Sequence, residues 1–171
     1  MNTPNQSRPT VAAVEQLTNN ATSWMGHRRS DNKEIVMGQT FIAPSEGDLE
    51  AIEVFSSIVT QPGQVAMTLH TFDPQLQSWG PSLGSATVEF NHTCNNKWVA
   101  FKILGLHLAK GMSYGFRLES HDSYVGVGEA AGSAKQPPFA SGKEWRFTSN
   151  DKKGDAFAYY SLAFKVGLKA A

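Results

Sequence analysis

Apolar residues recur at every second position over most of the chain, and turn residues separate these stretches. The segment VAMTLH at 65–70 alternates large apolar residues with small or polar ones. Because successive side chains of a strand point to opposite faces, this period of two predicts strands that bury one face. The same pattern recurs at 34–43, 52–55, 86–91, 99–103, 114–119, 124–128, 145–147 and 156–166.

About eight or nine strands follow from this pattern, with hairpin-like spacing and no intervening helices. Such an all-β arrangement favours two antiparallel sheets packed as a β-sandwich of the jelly-roll type. A closed barrel is the main alternative. A chain of 171 residues is long enough for one core. We therefore expect a β-sandwich domain over 34–171, preceded by an N-terminal extension over 1–33.

The extension begins with residues rich in Asn, Pro and Ser, which predict a partly mobile lead-in. Thr10 is a residue type that caps helices, and Val11, Val14 and Leu17 then share one helical face. This spacing predicts a short helix. The segment 21–32 follows and predicts an opening strand that ends in a polar turn.

Charge and hydropathy exclude several classes of partner. Fifteen basic residues balance fifteen acidic ones, and Arg28, Arg29 and Lys33 form the one notable basic cluster. A nucleic-acid surface needs clustered Lys and Arg for phosphate contacts, so we expect no nucleic-acid partner. No apolar run is long enough to cross a bilayer, and no signal peptide is visible at the amino terminus. The sequence therefore predicts no membrane insertion and leaves the localisation open.

Aromatic and polar residues near the predicted turns are candidates for ligand binding. Trp79, Tyr124 and Trp145 are the candidate aromatics, because a sugar ring packs its apolar side against an aromatic face. Trp79 lies in a long polar turn predicted over 73–84, which is rich in Pro and Gly and makes its ring hard to bury fully. His121 and Asp122 lie on a predicted turn, where polar residues can contact ligand hydroxyls. The alternatives are a tryptophan that covers the end of the core and an ordinary polar turn.

No catalytic motif stands out in the chain. The sequence lacks a phosphate-binding glycine loop, a nucleophile elbow and a zinc-spaced histidine pair. Cys94 is the single cysteine, so it has no partner for a disulfide or a redox pair. Glu53, Glu89 and Glu119 are interpreted as outward-facing charges, and we predict no enzyme activity.

Asp151 and Asp155 form the best local set of oxygen ligands for calcium, with Gly154 between them. Their spacing does not match a dedicated calcium loop and is typical of a solvated hairpin turn. We therefore predict no cofactor, and structural calcium stays an alternative.

Three segments carry a resemblance to a known family. They are GQTFIAPSEGDLEAIEVF at 38–55, LHLAKGMSYGFRLES at 106–120, and GKEWRF followed by GDAFAYYSLAF within 142–164. Together they resemble jelly-roll domains of bacterial extracellular and surface proteins, of the galactose-binding-like or carbohydrate-binding-module type. The resemblance spans about 34–166 and implies adhesion or targeting rather than catalysis. It also implies an extracellular or cell-surface location.

The predicted function is a non-catalytic binding module for a carbohydrate or glycan-like ligand. An alternative is a structural or assembly protein that acts through protein–protein contacts. In that alternative Phe55, Phe72 or Tyr159 is exposed at a subunit interface of an oligomer. A second alternative is a glycoside hydrolase whose two carboxylates meet from distant strands.

Overall fold

The computed structural model describes residues 10–169, which form an all-β, antiparallel structure as predicted. One turn of 3-10 helix, His92–Cys94, interrupts fourteen strands in this part of the chain. The strands are β1 (Thr10–Gln16), β2 (Ala21–Arg28), β3 (Lys33–Ile42), β4 (Gly47–Gln61), β5 (Gly63–Asp73), β6 (Ser78–Phe90), β7 (Lys97–Phe101), β8 (His107–Leu108), β9 (Ser113–Glu119), β10 (Tyr124–Ala131), β11 (Glu144–Thr148), β12 (Asp151–Phe157), β13 (Tyr160–Leu162) and β14 (Phe164–Lys169).

Hydrogen bonds join all of these strands into one sheet. The main path runs β1-β14-β4-β10-β2-β3-β9-β5-β6, while β7 and β8 pair with β4, β13 pairs with β10, and β11 joins β3 to β12. Val14 on β1 and Val65 on β5 belong to the same core cluster although they lie far apart along this path. The sheet must therefore curl into a half-barrel around its core, instead of forming two separate sheets.

The predicted count of eight or nine strands is wrong. Short strands such as β8 and β13 contain only two and three residues, too few to show a period of two. The single strand predicted over 156–166 is divided among β12, β13 and β14 by a turn at Ala158 and Tyr159 and a break at Ala163. The pattern of side chains records burial, whereas the count of strands depends on where backbone pairing is broken.

The predicted short helix from Thr10 is also wrong. The segment forms β1, which pairs with β14. Val14 and Gln16 are buried, whereas Val11 and Leu17 are exposed. This burial follows the period of a strand, because pairing with β14 places alternate residues on the core. The opening strand predicted at 21–32 is confirmed as β2, and residues 1–9 of the predicted extension lie outside the described residues.

Two different clusters pack against the two faces of the curled sheet. The inner face carries the main core, whose largest wholly buried side chains include Phe41, Phe90, Phe101, Phe116 and Phe164. On the outer face, a smaller cluster combines Phe72, Val36, Trp79, Trp145 and Phe147. We call this smaller group the outer aromatic cluster.

Trp79 lies in a strand and not in the long turn expected before Gly84. Strand β5 continues to Asp73, and β6 begins at Ser78. Strand β6 is at the end of the sheet path and pairs only with β5 among the described strands, so Pro81 can be accommodated there. The proline and glycine residues that suggested a loop are thus compatible with an edge strand.

Candidate ligand-binding cleft

Two glycines make room for the indole ring of Trp79 on the outer face. Gly38 on β3 and Gly115 on β9 lie beneath this ring, and a Cβ atom at these positions would come within 3.1 and 2.5 Å of it. Real Cβ atoms do not approach as closely as 2.5 Å, so a larger residue at position 115 would displace the ring. Glycine inside a strand often marks such a close approach.

Trp79 is the centre of the outer aromatic cluster. Its ring centroid lies 5.6 Å from Phe72, 5.8 Å from Phe147 and 5.9 Å from Trp145, each in an edge-to-face arrangement. These separations are in the favourable range for aromatic pairs. The structure thus brings together two of the predicted ligand aromatics, Trp79 and Trp145. Trp145 is itself buried, so it supports its neighbours and offers little free surface.

His70 anchors the strand that carries Trp79. Its Nδ1 atom donates to the carbonyl oxygen of Gly80 (3.0 Å), and its Nε2 atom accepts from the Thr68 hydroxyl (2.8 Å). Burial lowers the pKa of His70, which favours the neutral ring that this pair of hydrogen bonds requires. The imidazole also packs against Trp79 with ring centroids 5.6 Å apart.

Arg117 on β9 lies between two aromatic rings of this cluster. Its guanidinium carbon is 4.4 Å from the Trp79 ring centroid and 4.1 Å from that of Phe147. Cation–π attraction stabilises this placement. Burial lowers the pKa of Arg117, yet arginine keeps its charge in proteins. Within residues 10–169 it forms no ion pair, and its buried Nε atom has no hydrogen-bond partner. The guanidinium therefore retains unused donors.

A cleft of about 470 Å³ opens beside Arg117, and we call it the outer cleft. Its lining consists of Glu34, Val36, Arg117, Glu119, Phe147, Thr148, Ser149 and Lys152. Strands β3, β9, β11 and β12 and the turn before β12 supply these residues. The cleft combines apolar side chains with both hydrogen-bond donors and acceptors, as sites for small polar molecules do.

His121 lies at the rim of the outer cleft through its contact with Glu34. The Nδ1 atom of His121 is 2.8 Å from Oε1 of Glu34, and this hydrogen bond raises the pKa of the imidazole. The same carboxylate oxygen is 3.8 Å from Nδ1 of His27. Glu34 is therefore shared between two histidines and the cleft.

Asp122 holds the turn in which it lies. Its Oδ1 atom accepts hydrogen bonds from the backbone N–H of Gln64 (3.0 Å) and from the Ser120 hydroxyl (3.1 Å). The Ser120 hydroxyl oxygen in turn accepts from the backbone N–H of Ser123 (2.8 Å). The side chains of Asp122 and His121 thus have different partners, as expected for neighbours in an extended chain.

Tyr124 does not line the outer cleft. It stacks on Trp24, with ring centroids 5.2 Å apart and an angle of 20° between the planes. The two rings lie on the paired strands β10 and β2, where Tyr124 is opposite Gly26 and Trp24 is opposite Gly126. Of the five predicted site residues, Trp79, Trp145 and His121 are therefore associated with the cleft region, while Tyr124 and Asp122 are not.

Sequence reasoning did not select Arg117 or Phe147. Arg117 alternates with Phe116 and Leu118, so the pattern shows only that it faces away from the core. Its position between two rings depends on the pairing of β3 with β9 and β11. The sequence signal that could have identified Arg117 is a charged residue that lies between two core residues and close to a glycine.

Phe72 is not an exposed interface residue, because only 8% of it is accessible within the outer aromatic cluster. Phe55 packs edge to face on Trp98, with ring centroids 5.4 Å apart. Of the three residues named for an assembly surface, Tyr159 is the one that is exposed.

Asp151 and Asp155 lie within β12 and not in a turn. Oδ1 of Asp151 accepts from the backbone N–H of Gly154 (3.1 Å), and Gly154 has a positive φ of 81°. No group of three or more His, Cys, Asp or Glu residues within 10–169 is arranged to hold a metal ion. The same part of the chain contains no helix long and apolar enough to cross a membrane.

Comparison with known proteins adds evidence on the fold class. No protein-family model matches the chain, and no curated protein sequence matches it. The chain is similar in fold to solved structures. The structures are of the clostridial cysteine protease Cwp84, a surface-layer-associated protein of Clostridium difficile.

One of these structures is Cwp84 after propeptide cleavage, with a TM-score of 0.56 and 10% identity over 99% of this chain. The other contains the cysteine protease and lectin-like domains of Cwp84, with a TM-score of 0.51 and 11% identity over 82% of this chain. This chain covers only 42% and 33% of those two chains. The likeness therefore shows a common fold.

Proposed function

We propose that this chain is a non-catalytic binding module that holds a carbohydrate or glycan-like ligand in the outer cleft. The observation that carries the proposal is the Arg117 guanidinium, which lies between Trp79 and Phe147 with donors that no residue of 10–169 uses. A relation to jelly-roll domains of the galactose-binding-like type, and a location at the cell surface, are parts of the same proposal.

The outer cleft offers the groups that a sugar ring needs. Val36, with the small accessible part of Phe147, gives the cleft apolar surface against which the C–H groups of a pyranose can pack. Arg117 and Lys152 donate hydrogen bonds, whereas Glu34 and Glu119 accept them. Ring hydroxyls both donate and accept, so they match this mixed lining better than a purely apolar or a purely anionic ligand does.

The likeness to Cwp84 supports binding rather than proteolysis. We attribute the match to the lectin-like domain, because strands dominate residues 10–169. The single cysteine, Cys94, lies in the 3-10 turn outside the outer cleft. Its Sγ atom contacts the carbonyl oxygen of Glu89 at 3.9 Å.

Glycan-array screening followed by calorimetric titration tests the proposal. We expect a glycan to bind, and Arg117→Gln to weaken that binding by about tenfold or more because the guanidinium donors are lost. Lys165→Gln is the matched control, since the Lys165 ammonium also lies over an aromatic ring, 4.2 Å from the Trp98 centroid, outside the cleft. The proposal is overturned if no glycan binds, or if both variants change the affinity equally.

A further inference from the structure

The inner face of the sheet holds a polar cleft beside the apolar core, and we call it the inner cleft. Its volume is about 250 Å³, and it is lined by Thr22, Ser23, Glu129, Glu144, Arg146, Phe157 and Tyr160. Glu144 lies opposite Gln39 in the pairing of β11 with β3, and Arg146 lies opposite Met37. Gln39 and Met37 are buried in the interior. Directly paired residues share a face, so Glu144 points to the interior together with Gln39, and Arg146 lies on the same face at the exposed side of the cleft.

Two carboxyl groups are buried in this cleft. Glu129 is 7% exposed and Glu144 is 2% exposed. The Oε1 atom of Glu144 receives no hydrogen bond from any N–H or hydroxyl group of residues 10–169. Arg146 lines the same cleft, but its Nη2 atom donates to the Ser23 hydroxyl at 3.4 Å. Buried polar atoms are normally satisfied, so this carboxyl lacks a donor that a ligand could supply.

The charge of the inner cleft follows from the contact between the two acids. Burial and the neighbouring Glu129 carboxyl raise the pKa of Glu144, so Glu144 keeps its proton at neutral pH. The other titratable residues that line the inner cleft are Arg146, on the same strand as Glu144, and Tyr160 on β13. The lining therefore combines acid groups with the cationic Arg146 and does not carry a single sign of charge.

We propose that the inner cleft is a second ligand site, which binds the hydroxyl groups of a neutral polyol such as one ring of a glycan. A hydroxyl can donate to the unpartnered Oε1 atom of Glu144 while it accepts from Arg146. The positive charge of Arg146 disfavours a cationic ligand in this cleft, and the carboxyl group of Glu129 disfavours an anionic one. The volume is slightly below that of ordinary ligand pockets, which suits a single ring. The site is independent of the outer cleft.

Carbon-13 NMR of protein labelled in its glutamate carboxyl groups tests this site on the intact chain. The probes are glycerol, glucose and N-acetylglucosamine, each titrated to about 100 mM, a range suited to a small ligand. We expect one of them to shift the Glu129 and Glu144 signals saturably, whether or not the Glu119 signal of the outer cleft also shifts. The proposal is overturned if none of the three does so. It is also overturned if calcium chloride or an alkylamine shifts the pair and the polyols do not.

Variants separate binding from a purely structural role. We expect Glu144→Leu to abolish the polyol response and Glu144→Gln to keep the affinity within about threefold, because an amide still donates and accepts. Tyr160→Phe removes the hydroxyl of a lining residue with little change in shape, and we expect it to weaken binding. This variant keeps the test available if Glu144→Leu does not fold. Unchanged affinity in the folded Glu144→Leu protein, or in Tyr160→Phe, contradicts the proposal. Glu119→Leu is the control for the outer cleft and should leave this response intact.

Discussion

The two faces of strands β3 and β9 carry different kinds of side chains. On the inner face, Met37, Phe116 and Leu118 are wholly buried among other apolar residues. On the outer face, Gly38 and Gly115 lie under Trp79, and the adjacent Arg117 lies between two rings. These three inner-face side chains need only to be apolar and of suitable size, whereas the outer face of the two strands depends on particular residue types. That difference indicates that the apolar part of the inner face supplies stability, while the outer face supplies the outer cleft.

The largest expected effect comes from the inner face. Phe116→Ala should lower the free energy of unfolding by about 3–5 kcal/mol, because it removes buried surface and leaves a cavity. Denaturant unfolding measures this loss. Leu104→Ala is the control, since Leu104 is 73% exposed, and it should have little effect. Equal losses in the two variants would show that Phe116 is not packed as described.

A smaller effect is expected where the outer face is most crowded. Gly115→Ala places a methyl group against the Trp79 ring and should destabilise the protein by about 1–3 kcal/mol. The near-ultraviolet circular dichroism of the tryptophans should change as the ring moves. Gly167→Ala is the matched control, because its Cβ would meet a Thr10 methyl group at 3.1 Å. If Gly115→Ala leaves both the stability and the spectrum unchanged, Trp79 does not lie over this strand.

The acid pair should make stability depend on pH. The pKa of Glu144 is raised in the folded state, so the folded protein holds a proton that the unfolded chain releases above the ordinary glutamate pKa. Stability therefore falls as the pH rises from about 4.5 towards the raised pKa. Glu144→Gln removes this dependence, and its advantage in melting temperature over the wild type should grow between about pH 4.5 and pH 8. A difference that stays constant or shrinks would contradict a raised pKa.

The smallest effect on stability is expected at Arg117. Arg117→Gln should change the free energy of unfolding by less than about 1 kcal/mol, because lost cation–π attraction and relieved desolvation offset each other. Ligand binding should still fall, as described above. A large loss of stability would instead make Arg117 a structural residue and remove the contrast between the two faces.

The sequence could predict the class of the fold because burial follows a period of two in the inner-face strands. It could not predict the break at Ala163 or the pairing of β1 with β14, since these depend on hydrogen bonds between distant segments. Trp79 and Trp145 were identifiable as candidates from their residue type. Arg117 was not, because its environment arises only when β3, β9 and β11 align. The pattern within one segment indicates which of its residues are buried. It cannot show a site that several strands form together, because such a site depends on the register of those strands.

The NMR signal of the Arg117 Nε–H group tests most directly whether the outer cleft is the ligand site. It is followed during titration with a glycan identified by array screening. This group is buried and has no partner within residues 10–169. We expect a saturable shift of this signal and of the Trp79 indole signal, with the same dissociation constant that calorimetry gives. A glycan that binds while both signals stay unchanged would show that the outer cleft is not the site.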